Sequence, residues 1–147
     1  MDPAAWLREK GFDPEGDLCT AIESKKYGGT STAMWVAARA GELGVCRFLW
    51  EHGAAATIST KNSYGCTPMW AACWRGHLHV AKWLFKVGAA EDIRTEDIVG
   101  RTPMSVACQG GHCDVATWLI LHGAANTDEG HVDPAIIRKV APPQSRL

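Results

Sequence analysis

The landmarks of the stretch from Gly65 to Val99 recur at one fixed offset on both sides of it, and this repetition restricts the fold more than any other feature. The offset is 35 residues, as from Thr67 to Thr102. Thr67-Pro68-Met69 returns as Thr102-Pro103-Met104 and, with one change, as Thr32-Ala33-Met34; Gly76 matches Gly41 and Gly111. Val80, Leu84 and Gly88-Ala89-Ala90 likewise match Val45, Leu49 and Gly53-Ala54-Ala55 upstream, and Val115, Leu119 and Gly123-Ala124-Ala125 downstream. A short unit repeated in register cannot enclose a core of its own, so neighbouring units must stack and share one.

Each unit encodes two helices. Thr67 before Pro68 supplies a capping hydroxyl and a first-turn residue that needs no amide donor. Met69, Ala72 and Cys73 then share one face of a short helix, which Gly76 can end in a left-handed conformation. After His77, the residues Val80, Trp83, Leu84 and Val87 fall at i, i+3, i+4 and i+7, with Gly88 as the next stop. The predicted fold is an all-α solenoid of helix-turn-helix units joined by hairpin loops.

TPMWAACWRGH, followed by a VAKWL helix and GAA, resembles the ankyrin repeat. Ankyrin units run about 33 residues with a T-P-L-H-x-A signature. The two additional residues here fall between Gly88 and Thr102, in the hairpin loop, where insertion costs little. Trp35, Trp70 and Ser105 stand where the family has a histidine that ties the turn together by hydrogen bonds. An indole has one donor and no acceptor, so that network is not expected in its usual form.

The register divides the chain. Trp6-Leu7-x-x-x-Gly11 has the spacing of Phe48-Leu49-x-x-x-Gly53, so residues 1–29 read as a half-repeat cap, with Asp2-Pro3 starting its helix, plus a connector. From Gly11 to Thr32 is 21 positions against 14 from Gly53 to Thr67; Asp17 to Glu23 is expected to add a helical turn and Lys25 to Gly29 a loop. Residues 30–64, 65–99 and 100–132 are the three repeats. Beyond them Asp133-Pro134 restarts a short capping helix, Ala135 to Val140, and the remainder of 133–147 is a tail. A surviving piece of a larger ankyrin-repeat scaffold is the alternative.

Composition narrows the function. A net charge of -1 and a 46% apolar share describe a chain with a core and no overall basic field, which disfavours nucleic acid or an anionic membrane as partner. No run approaches about 18 apolar residues and the start has no secretory pattern, so a cytoplasmic or nuclear protein is expected. Cys73 and Cys108 occupy the small-residue slot of Ala38 and read as reduced core thiols. Cys108, His112 and Cys113 could suggest a thiol or metal enzyme, but Gly110-Gly111 breaks the helix between them and His112 sits at the turn position of His77. Without a C-x-x-C pair, an H-E-x-x-H, a phosphate loop or a nucleophile elbow, no catalytic residue, metal or cofactor is expected.

The tryptophans divide by position. Trp6, Trp83 and Trp118 share one slot with Phe48 and read as core between repeats, whereas Trp35 and Trp70 are expected between adjacent first helices. Trp74 differs, because its counterparts Arg39 and Gln109 are polar; a large aromatic at such a site is better explained by a partner than by core. The resemblance implies that a partner lies on the concave surface made by hairpin tips and first helices. By register the partner-binding candidates are Arg39, Tyr64, Trp74, Arg75, Val99, Arg101 and Gln109, a basic and aromatic strip suited to an acidic or phosphorylated peptide. The expectation is a monomeric, non-catalytic protein-interaction module.

Overall fold

A computed structural model describes residues 1–27 and 29–124. The capping helix expected at Ala135 to Val140, the tail, and the end of the third repeat lie outside the described residues. Three helix pairs follow one another: α2 (Ala33–Ala40) with α3 (Leu43–Leu49), α4 (Pro68–Trp74) with α5 (Leu78–Leu84), and α6 (Pro103–Gln109) with α7 (Cys113–Leu121). A lone helix, α1 (Pro3–Glu9), precedes them. Helices α2, α4 and α6 pack side by side as one layer, and α1, α3, α5 and α7 pack in order as the second.

The starts and stops are local chemistry. The hydroxyls of Thr32, Thr67 and Thr102 accept hydrogen bonds from the amides three residues on, Trp35, Trp70 and Ser105, at 3.2, 3.1 and 3.2 Å. Asp2 caps α1 in the same spirit, accepting from the Ala4 amide at 3.1 Å. Gly41 and Gly76 end the first helices at φ 76° and 78°, a region costly for any residue with a Cβ. Helices α3 and α5 run on into widened turns, Trp50–Ala54 and Phe85–Ala89, before the chain turns into its hairpin.

Between the layers lies one continuous core. Leu49, Leu84 and Leu119 are fully buried, as are the register-matched Val45, Val80 and Val115, and Met34 and Met69 fill the first-helix side. The expectation for the tryptophans held in part. Trp6 and Trp118 are buried, but Trp83 and Phe48 are only half-buried and pack against the edge of the core. Trp35 and Trp70 are buried at 3% and 4% exposure, and neither indole N–H has a hydrogen-bond partner among the described residues. In the third repeat Ser105 replaces the indole and closes a capping box, its hydroxyl accepting from the Thr102 amide at 3.0 Å.

The connector departs from expectation. In place of an added helical turn over Asp17 to Glu23, Asp17 accepts from the Cys19 amide and the Thr20 hydroxyl, both at 2.9 Å, and so holds a tight turn. Residues Ile22–Ser24 (β1) then pair antiparallel with Gly29–Ser31 (β2). Gly29, expected in the loop, is thus in a strand. A partner strand satisfies backbone groups that a single isolated turn of helix would leave open. Successive hairpins also join: the Ser63 amide donates to the Thr30 carbonyl at 3.2 Å, and the Ile98 amide to the Tyr64 carbonyl at 3.0 Å.

Candidate functional site

The first-helix layer ends on one side in a stack of rings and guanidinium groups. Arg39, in the last turn of α2, lies over Tyr27 at 5.2 Å and over Trp74 at 5.6 Å. Arg75, directly after α4, also lies 5.6 Å from the Trp74 ring centre. Trp74 tilts against Trp70 at 5.3 Å, and Arg101 lies over Trp70 at 5.3 Å. Three of the expected residues, Arg39, Trp74 and Arg75, therefore form one cluster, and Arg101 joins it through the buried ring of Trp70.

Trp74 itself is 37% exposed, in contrast to Trp70 one helical turn earlier. The reason is geometric: four residues along α4 the next ring reaches the helix end, where its neighbours are the half-buried Arg39 and the exposed Arg75. Around it, Arg39, Ala40, Trp74, Arg75, His77 and His112 line an open cleft of about 400 Å³. His77 Nε2–H donates to the Arg39 carbonyl at 3.0 Å, and His79 Nε2–H donates to the Gly41 carbonyl at 3.0 Å, so the second repeat is tied to the end of α2.

The electrostatics of the cleft are one-sided. Burial, and then the like charge of Arg75, hold the Arg39 pKa below the ordinary arginine value. Burial likewise lowers that of His77, against the opposing effect of its bond to Arg39; His79, Arg75 and His112 lower it further. The ion pairs among the described residues are Arg8 with Glu15, Lys10 with Glu9, and Arg101 with Asp97. Arg39 and Arg75 belong to none of them.

Arg101 has a different environment from the one expected of a basic strip. Its Nε donates to Asp97 at 2.8 Å, and the Asp97 carboxylate also accepts from the Val99 and Arg101 amides at 3.0 and 2.9 Å. Burial pushes the Asp97 carboxyl up, but these bonds and the guanidinium charge outweigh it and hold the group below the usual carboxylate range. The charge of Arg101 is thus balanced within the hairpin. Asn62 does the same structural work one repeat earlier, accepting from the Tyr64 and Cys66 amides at 3.0 Å each.

Tyr64 and Val99 sit on neighbouring hairpin tips, exposed at 47% and 69%, beside the equally open Ile98. Gln109 is exposed at the end of α6 and contributes no ring to the stack. Two members of the cluster were missed from sequence. Tyr27 lies five residues before Thr32, as Asn62 and Asp97 do before Thr67 and Thr102, but the lengthened connector hides that register. His77 reads from sequence only as a turn residue.

The alternative set, Cys108, His112 and Cys113, is divided between α6 and the start of α7. Cys108 is half-buried on α6 and Cys113 is exposed at the start of α7, while the His112 ring is packed against the backbone of Gly76 and Gly110. Among the described residues no group of three His, Cys, Asp or Glu side chains could hold a metal ion. A larger cleft of about 500 Å³, lined by Phe85, Ala90, Glu91, Ile93, Arg94 and His122, lies by the second-helix layer. It mixes both charges, and Arg94 Nε is already committed to the Gly123 carbonyl at 3.2 Å.

Stacked helix pairs with interlocking hairpins and an exposed aromatic-basic cluster define a repeat scaffold. The family profile described as ankyrin repeats in three copies matches residues 7–97, and that of the single ankyrin repeat matches residues 99–131. The chain belongs to the ankyrin repeat family. Ankyrin repeats are in general protein–protein interaction modules. No curated protein matches the chain. No helix among the described residues is long and apolar enough to cross a membrane.

Proposed function

We propose that the chain is a non-catalytic interaction module that binds a partner protein on the face made by its first helices and hairpin tips, with Trp74 as the anchor. The observation that carries this is the exposure of Trp74 between two arginines, at a repeat position that is polar in both sister repeats. Trp and Arg are enriched among the residues that dominate interface energies, Trp for its large rigid area and Arg for its planar fork of donors, and both gain when a partner excludes water. Arg39 and Arg75 flank the anchor, Arg101 lies beyond it over Trp70, Gln109 extends the face along α6, and Tyr64 and Val99 supply apolar contact at the tips. A stiff stack of helices loses little conformational entropy on docking.

The module works as a monomer in the cytoplasm or nucleus, where Cys46 and Cys73 remain thiols in the core. The test is affinity capture from the source cell's lysate, comparing the native chain with a Tyr64→Ser, Trp74→Ala, Arg75→Glu variant whose far-UV circular dichroism matches it. Proteins retained by the native chain and lost by the variant support the reading. Capture that is the same for both, or empty for both, overturns it.

A further inference from the structure

We propose that the cleft beside Trp74 is a receptor for a phosphomonoester dianion, carried as phosphoserine or phosphothreonine on the partner protein, with Arg39 and Arg75 as its two ligands. This deepens the first-helix-face reading and rests on it. The argument begins with what the protein does elsewhere. Arg101 lies on the same face and over the same kind of ring, yet the hairpin supplies it with a carboxylate at 2.8 Å. Arg39 and Arg75 flank one indole, each 5.6 Å from its centre, and form no ion pair among the described residues. Arg39 is half-buried as well. A cation partly withdrawn from water near a second cation is unfavourable in the free protein, and an anion entering the cleft that both arginines line offsets their repulsion.

The chemistry selects the anion. Tyr27 and Trp74 place two aromatic rings beside the guanidinium of Arg39, 5.2 and 5.6 Å away, and a guanidinium carries five N–H donors in a fork that suits a planar or tetrahedral oxyanion. A carboxylate neutralises one arginine. A phosphomonoester carries about -1.5 to -2 charge near neutral pH and three acceptor oxygens, which matches two guanidinium groups and their paired donors. The neighbouring His77 already spends Nε2–H on the Arg39 carbonyl, so it fixes the backbone under Arg39 without competing for the anion. A nucleic-acid strand is favoured by a row of phosphate sites and a basic field, whereas the cations around this cleft among the described residues are Arg39 and Arg75, with Lys26 beyond Tyr27, on a chain of net charge -1. The exposed indole adjoins the cleft, where it can cover the peptide flanking the phosphate.

The experiment follows the arginine Nε–H signals of the ¹⁵N-labelled native chain while N-acetyl-phosphothreonine amide, N-acetyl-threonine amide or N-acetyl-glutamate amide is added. The expected result is a saturable shift of the Arg39 and Arg75 signals with the phosphorylated probe, a weaker response with glutamate, and none with threonine, while Arg101 stays in place. Replacing either arginine by Gln should weaken the phosphothreonine response by about tenfold or more, with Arg39→Lys between the two. No shift, or a parallel shift of Arg8, Arg47 and Arg94, overturns the proposal without any variant being needed. Phosphatase treatment of the lysate separates the two levels. If partners captured through Trp74 survive dephosphorylation, the phosphate assignment falls and the binding face stands; if capture never depends on Trp74, the face itself falls.

Discussion

Replacing Asp97 by Ala should destabilise the fold by about 2–4 kcal/mol at neutral pH. The carboxylate accepts three hydrogen bonds, two from backbone amides and one from the Arg101 guanidinium, and hydrogen bonds to charged groups contribute about 1.5–3 kcal/mol each. The bond from Arg101 is discounted to about 1 kcal/mol or less, because that side chain is 47% exposed. The amides at the tip recover part of the remainder by binding water once the carboxylate is gone. Asp97→Asn should cost only about 1 kcal/mol, since Asn62 holds the preceding hairpin with two equivalent amide bonds. The pH dependence follows from the direction of the pKa. Asp97 is depressed below 3.8 in the folded protein, so its stabilisation is complete above that value and disappears as pH falls through the folded-state pKa. Urea denaturation followed by circular dichroism should give a constant gap between native and Asp97→Ala proteins from pH ~7 to ~5, narrowing below pH ~4. A neutral-pH cost under about 0.5 kcal/mol, or a gap unchanged down to pH ~3, would refute the reasoning.

Three further outcomes are expected. Gly41→Ala places a Cβ 2.6 Å from His77 Nδ1 at φ 76°, whereas Gly111→Ala meets open space at φ 73°; the first should cost about 1–2 kcal/mol more in urea unfolding, and equal costs would show that the His77 ring yields freely. Trp70→Ala should destabilise by about 3–5 kcal/mol and Trp74→Ala, at 37% exposure, by about 1–2, so comparable losses would place Trp74 in the core. Burial pushes the Cys46 and Cys66 thiols up to about 12 and about 11 and raises Cys73 as well, so peptide mass spectrometry after brief alkylation of the native protein should find Cys113 labelled first. Labelling of Cys46 or Cys73 at the rate of Cys113 would contradict that packing.

The helices and their order were legible because their signals are local and repeated. Thr-Pro at the start, glycine at the stop and apolar residues at helical spacing between them act within one unit, and three copies in register leave little freedom. The connector was not legible, because β1 and β2 depend on pairing between segments, and the same residues contain nothing that forbids a helical turn. The tryptophans show the same boundary. Repeat position separated Trp74 from the core residues, but it treated Trp83 and Trp118 alike, and only their different neighbours make one half-buried and the other buried.

The candidate site divides along that line too. The seven expected residues follow from the ankyrin resemblance, carried by register onto the hairpin tips and first helices, a one-dimensional property. Whether an arginine is free for a partner is a question about charges from other parts of the chain. Asp97 lies four residues from Arg101 and cancels it, while Arg39 meets Tyr27 from the connector and Trp74 from the next repeat and forms no ion pair among the described residues. A stack of helix pairs is already implied by the repeat, since a short amphipathic unit buries its apolar face against its neighbours. Which cations remain unbalanced emerges only when the chain is folded, because Coulomb and desolvation energies depend on distance and burial between residues that the chain order keeps apart.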